Sequence, residues 1–177
     1  MKVSASPDLE FLVDHWMQQS VPIDSSVFTA FSAALSAVFN VKPDEVAILA
    51  VSANHSFLSF LVPEKLQTVG TIPLNSTTAL VARTVREHKP EIVNAFAGSR
   101  HASVFEGVPL VEGEVAIIQK IMSAPILSGK EVIGVVQISR KGHSQGAAGP
   151  DFGTSDLRAL QALTPTLGKF IQLAKKS

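Results

Sequence analysis

The stretch IIQKIMSAPILSGKEVIGVVQIS, residues 117–139, decides how this chain folds. Two almost continuously apolar arms flank Ser128-Gly129-Lys130. Gly with polar neighbours between two β-rich runs is hairpin chemistry, because a tight reversal needs a residue that tolerates positive φ. A strand with one wetted face alternates apolar and polar residues, and these arms do not. Both faces are therefore expected to be covered, which places the hairpin, from about Ala116 to Ser139, in the middle of a sheet. Pro125 has no N–H to give to a ladder and predicts a bulge or an edge-facing position. Strand alternation puts Gln119, Ile121 and Ser123 on one face. The two polar members need hydrogen-bond partners there, from backbone, water or a ligand. Lys120 and Met122 point the other way, toward the expected terminal helices.

Downstream, RKGHSQGAAGPDFG (140–153) reads as a flexible surface loop by its Gly content. Thr154 or Ser155 then caps a last helix with Leu157, Leu160, Leu163, Leu167 and Ile171 on one face; Pro165 predicts a kink, or a restart at Thr164. Upstream, a short leading helix starts near Ser6-Pro7-Asp8, and Asp24 caps a second one whose apolar stripe runs from Val27 to Phe39, closing at Asn40. VAILAV (46–51) and FLSFLV (57–62) form two antiparallel strands joined by Ser52–His55. A loop through Thr71–Leu74 leads to a helix capped by Asn75 or Ser76 and ending near His88, with Leu80, Val81, Thr84 and Val85 inward. Glu91–Asn94 is a short strand. The connection that follows, 95–115, is long for a compact domain, which marks it as functional, mobile or holding a short helix at Ser99–Phe105.

The chain has 177 residues, enough for one ordinary domain with a proper core. Fifteen Lys+Arg balance fifteen Asp+Glu, so no overall basic field draws a phosphate backbone or an anionic membrane. Direct nucleic-acid binding is not expected. With 46% hydrophobic and 17% charged residues the chain tolerates association. The absence of Cys removes disulfides, thiolate nucleophiles and Cys-containing zinc sites. Asp8, Glu10 and Asp14 interrupt any signal-type apolar run, and no stretch is long enough to span a membrane. A cytoplasmic location is expected.

The order of elements, and the residues that carry it, resembles GAF domains. SAPILSGKEVIGVVQISRKG resembles the family's strand ending in a Pro-Ile pair, a Gly turn and a returning V-I-G-V strand. DFGTSDLRALQAL resembles the opening of the last GAF helix, and ALVARTVREHKPEIVNA the helix and strand before the long connection. Where this group usually has T-G-E-P, the chain has Arg86-Glu87-His88-Lys89-Pro90, a longer turn. The resemblance covers roughly 24–174 and implies an α+β fold: a central six-stranded antiparallel sheet with helices on both faces. The division expected is an N-terminal helical extension, 1–23, and a GAF-like domain, 24–177. The resemblance also implies a small-molecule pocket between the sheet and the long connection, and dimerisation through the terminal helices.

Within that pocket the candidate ligand-binding residues are Asn94, Phe96, His101, Phe105, Gln119 and Ser123. The Asn, Lys, Phe, Asp-Glu pattern of cyclic-nucleotide GAF domains cannot be placed in order, and bilin attachment and methionine sulfoxide reduction in this fold need a Cys. No cofactor can be named. No two of His15, His55, His88, His101 and His143 have the spacing that puts two metal ligands on one helix face. Glu106, Glu112 and Glu114 are read as a solvated cluster rather than a metal site. No nucleophile and base pair can be assigned, so no enzyme is expected. Two functions are left: a ligand-sensing signalling module acting through a dimer or a partner, or a ligand-free dimerisation and protein-interaction module.

Overall fold

The computed structural model describes residues 7–19, 24–98 and 117–175. Among the described residues four helices, α1 (Pro7–Gln19), α2 (Ser25–Phe39), α3 (Leu80–Glu87) and α4 (Thr154–Lys175), surround one sheet. Its strands are β1 (Val46–Val51), β2 (Phe57–Val62), β3 (Thr71–Pro73), β4 (Glu91–Val93), β5 (Ile118–Ser128) and β6 (Glu131–Lys141). All neighbours are antiparallel, in the order β3-β2-β1-β6-β5-β4. The six-stranded sheet with helices on both faces is the expected one. Its sixth strand, β3, lies where the sequence predicts a loop: three residues are too few to show a period, and pairing with Phe57–Ser59 makes them a strand.

The β5–β6 hairpin is the spine. It turns through Gly129 and Lys130, with Gly129 at φ 63°, a conformation that costs other residues strain. Both arms are buried over most of their length. Pro125 lies beyond the end of β4, which pairs with β5 only from Ile121 to Ser123, so its missing donor faces an edge with no outer strand. One face carries Met122, Ala124, Ile126, Val136 and Ile138 against α1, α2 and α4. The other carries Ile121, Val135 and Leu49 toward α3.

The three helices on the first face meet through aromatic rings. Phe31 of α2 stacks on Phe170 of α4 with centroids 4.2 Å apart, Phe28 meets the same ring edge-on, and Trp16 of α1 tilts against Phe31. Such rings bring large buried area and a preferred geometry together. Leu9, Val13 and Trp16 thus join the same core as α2 and α4. Asp24 caps α2, accepting from Ser26 N and Val27 N, and Asn40 closes it in the left-handed region. The Ser26 hydroxyl and N–H hold the Asp24 carboxyl below its usual range. Its capping contribution is complete at neutral pH and fades only as pH falls through that depressed value.

Helix α4 runs unbroken through Pro165, where the sequence predicts a kink or restart. The ring removes the donor owed to the Gln161 carbonyl, and Thr164 Oγ1 donates to that oxygen instead at 2.8 Å. At its start, Asp156 Oδ2 accepts the Gly153 N–H, so the cap comes from Asp156 rather than Thr154 or Ser155.

The Gly-rich segment 142–153 is anchored rather than free. Lys120 and Arg140, opposite one another on β5 and β6 and both buried, donate to Gly149 O and Pro150 O at 2.6 Å each. Lys120 also pairs with Asp151 at 2.7 Å, and the Arg140 guanidinium lies 4.2 Å above the Phe152 ring. Composition marks a loop but not the buried cations beneath it.

Gly134 of the V-I-G-V run sits where α4 crosses the sheet. A Cβ there would overlap Ile171 Cδ1 and lie 2.6 Å from Leu49 O. Gly134→Ala is expected to lower the unfolding free energy by about 1–3 kcal/mol, read as a lower urea midpoint.

Candidate functional site

On the α3 side of the sheet, pairing lines up two rows of side chains. Ala47, Gln137 and Ser123 form one across β1, β6 and β5, and Ser139 and Ile121 form the next. The start of α3 lies over these rows, led in by a turn in which Ser76 Oγ accepts from Thr78 N and Ala79 N. The helix begins at Leu80, later than an Asn75 or Ser76 cap predicts. Arg86 donates to Leu74 O and Ser76 O, and Arg83 makes a two-pronged pair with Glu91 of β4.

Between helix and sheet is a cleft of about 100 Å³. Leu80, Phe96, Ile118 and Ile121 give it apolar walls, and Gln137 and Ser139 stand at its polar side beside Glu45 and Lys141. Glu45 is buried, with Oε1 accepting from Lys42 N at 2.8 Å and Oε2 from Lys141 N at 2.6 Å. Lys141 Nζ donates to Asp44 O at 3.0 Å and lies 3.8 Å from Asp44 Oδ2. Ser139 Oγ donates to Glu45 O.

Ser123 lies fully buried beneath the cleft. Its hydroxyl is 2.7 Å from Thr84 Oγ1 and 3.2 Å from Gln137 Nε2. Thr84 in turn donates to Leu80 O at 3.0 Å. The chain of hydrogen bonds thus links α3, β5 and β6 through side chains of which none is left unpaired when buried.

The other expected residues divide clearly. Phe96, in a short 3-10 turn after β4, packs with Leu80 and Ile121 and walls the cleft. Asn94 gives its whole amide to one backbone: Nδ2 donates to Phe152 O at 3.0 Å, and Oδ1 accepts Phe152 N–H at 2.9 Å. Gln119 is buried and donates to Gly142 O at 2.9 Å. A register shift between Ile118 and Lys120 breaks the alternation there and brings Ile118, not Gln119, to the cleft wall. His101 and Phe105 lie outside the described residues, as do Glu106, Glu112 and Glu114. Among the described residues no cluster of three acidic or His side chains could hold a metal.

Gln137 and Ser139 escape a reading of β6 because of a second irregularity. The two-residue turn alone would set Ser123 opposite Val136, but a register shift beside Ile126 moves Gln137 there instead. Polar residues in the middle of a doubly buried strand were the available signal.

A family model for the GAF domain matches residues 26–170. The chain belongs to the GAF domain family. Members are in general sensory or regulatory domains of signalling proteins. Solved structures agree on the fold. The GAF domain of an Acinetobacter phosphoenolpyruvate-protein phosphotransferase is 14% identical, with a TM-score of 0.63 over 97% of both chains. Its Coxiella burnetii counterpart is 12% identical, with a TM-score of 0.62 over 98% of both. A free methionine-R-sulfoxide reductase from Neisseria meningitidis, solved with its substrate, is 16% identical, with a TM-score of 0.61 over 96% of this chain and 87% of that one. No curated protein matches the chain. No helix among the described residues is long and apolar enough to cross a membrane.

Because Asn94, among the described residues, bonds to the Phe152 backbone through both ends of its amide, its truncation should act on stability. Asn94→Ala is expected to lower the unfolding free energy by about 1–3 kcal/mol in urea denaturation, leaving the sheet's circular dichroism intact.

Proposed function

We propose that the chain is a small-molecule-sensing regulatory module that performs no chemistry itself and acts through a homodimer or a partner polypeptide in the cytoplasm. The observation that carries this reading is the cleft between α3 and the sheet, with apolar walls and a convergent polar side. A ligand there would touch the first turn of α3, which the Thr84–Ser123–Gln137 chain ties to the central hairpin. Occupancy can then signal by favouring one placement of α3 over another, provided it binds the two unequally.

The absence of Cys argues against thiol chemistry, and among the described residues the polar groups around the cleft include no paired nucleophile and base. Zero net charge argues against a direct nucleic-acid partner. A second reading, a ligand-free dimerisation or interaction module, is favoured by the cleft's size, below the roughly 300–1,000 Å³ of drug-sized ligand pockets. Phe11, 68% exposed on α1, gives that reading an apolar contact point on a terminal helix.

Native mass spectrometry of freshly purified protein separates the two. A dimer retaining a small molecule that is lost on mild activation is the expected result. A bare dimer from several expression hosts would favour the interaction module, and a bare monomer would contradict both a retained ligand and a homodimer, leaving only action through a separate partner.

A further inference from the structure

The cleft's hydrogen-bonding character is set by the direction in which protons run beneath it. Thr84 has one hydroxyl proton and donates it to Leu80 O, so at the 2.7 Å contact Ser123 is the donor. Ser123 has then given its own proton and can only accept from Gln137. That requirement forces Gln137 to present Nε2 to Ser123, 3.2 Å away, and turns Oε1 elsewhere as an acceptor. Among the described residues no donor is recorded on Gln137 Oε1.

The neighbouring groups repeat the pattern. Ser139 donates its proton to Glu45 O and keeps only lone pairs. Glu45 is a carboxylate and offers acceptors alone. Lys141 donates one N–H to the Asp44 carbonyl at 3.0 Å and stands 3.8 Å from the Asp44 carboxylate; its ammonium also lines the cleft, but Asp44 and Glu45 outnumber it there, so the balance of charge is negative. Among the described residues, besides that ammonium, one further N–H on Gln137 Nε2 stands against lone pairs on Gln137, Ser139 and Glu45. The apolar walls, meanwhile, reward a hydrocarbon body. A cavity of 150 Å³ holds a ring the size of benzene, so about 100 Å³ suits about four to six heavy atoms.

Resting on the reading of this cleft as a ligand site, we propose that it selects a small amphipathic molecule whose polar end donates hydrogen bonds, a hydroxyl or an ammonium, and rejects a carboxylate of the same size. Leu80 O, Thr84, Ser123 and Gln137 act together as the element that sets this preference, with Thr84 and Ser123 as positioning residues.

The test is a ligand-observed NMR titration of the full chain with isobutanol, isobutylammonium and isobutyrate, three probes of one shape. Isobutanol or isobutylammonium is expected to bind at least about tenfold more tightly than isobutyrate, since an acceptor facing an acceptor loses its hydrogen bond. Which of the two binds more tightly tells a neutral from a charged donor. In Ser123→Ala the Gln137 amide is free to turn over, and the preference should shrink to within about threefold. Gln137→Leu, at a half-buried position and checked by circular dichroism, should lose it even if Ser123→Ala fails to fold. Isobutyrate binding as tightly as the others would overturn the donor preference while leaving the cleft a ligand site. A preference unchanged in Gln137→Leu would overturn its assignment to this chain of residues. If none of the three binds, the cleft is not a site for such molecules and both readings fall.

Discussion

The hydrogen bond between Ser123 and Thr84, 2.7 Å long and buried, joins the central hairpin to the helix above it. A hairpin covered on both faces admits a polar side chain only where each proton and lone pair has a destination. On this face the destinations run one way, from Gln137 through Ser123 and Thr84 to the Leu80 carbonyl. Removing one link leaves a buried group unpaired, which costs more than the bond itself returns. The same sequence of donors ties the first turn of α3 to the hairpin beside the cleft, so stability and the recognition proposed for the cleft share one set of side chains.

The opposite face obeys a different constraint. There the hairpin meets α4 with little space to give, because Gly134 brings the backbone close to Ile171. Phe170 of the same helix stacks on Phe31, which in turn meets Trp16, so α1, α2 and α4 form one body over the sheet. Beyond the sheet's end, two buried cations hold the 142–153 segment by its carbonyls. The scaffold is thus packed tightly where α4 crosses the sheet, while clefts open on both sides of it, one under α3 and a wider one of about 240 Å³ beside α2, between Phe28, Ser32, Pro63 and Lys65.

Much of this was legible in the residues. The doubly buried hairpin, the capped α2 and the apolar stripe of α4 follow from periodicity and cap chemistry, which are local. What was not legible depended on partners distant in sequence. Thr71–Pro73 becomes a strand only because β2 offers it an edge. Gln119 leaves the cleft face and Gln137 joins it because of two register irregularities, and each shifts one residue's pairing without a marker such as an isolated polar run. Asn94 is expected among the pocket's ligand-binding residues, and its partner, the Phe152 backbone, lies 58 positions away. Alternation finds which residues are buried together; register decides which of them meet.

The direction of the buried chain is the point on which the rest turns, and it is open to direct observation in the unliganded protein. In a 15N-labelled sample, the Gln137 side-chain amide should show two resolved protons, slow to exchange with water, with nuclear Overhauser contacts to the Ser123 β-protons and the Thr84 methyl. A single averaged or fast-exchanging amide signal without those contacts would show that Gln137 does not donate to Ser123, and would contradict the polarity assigned to the cleft.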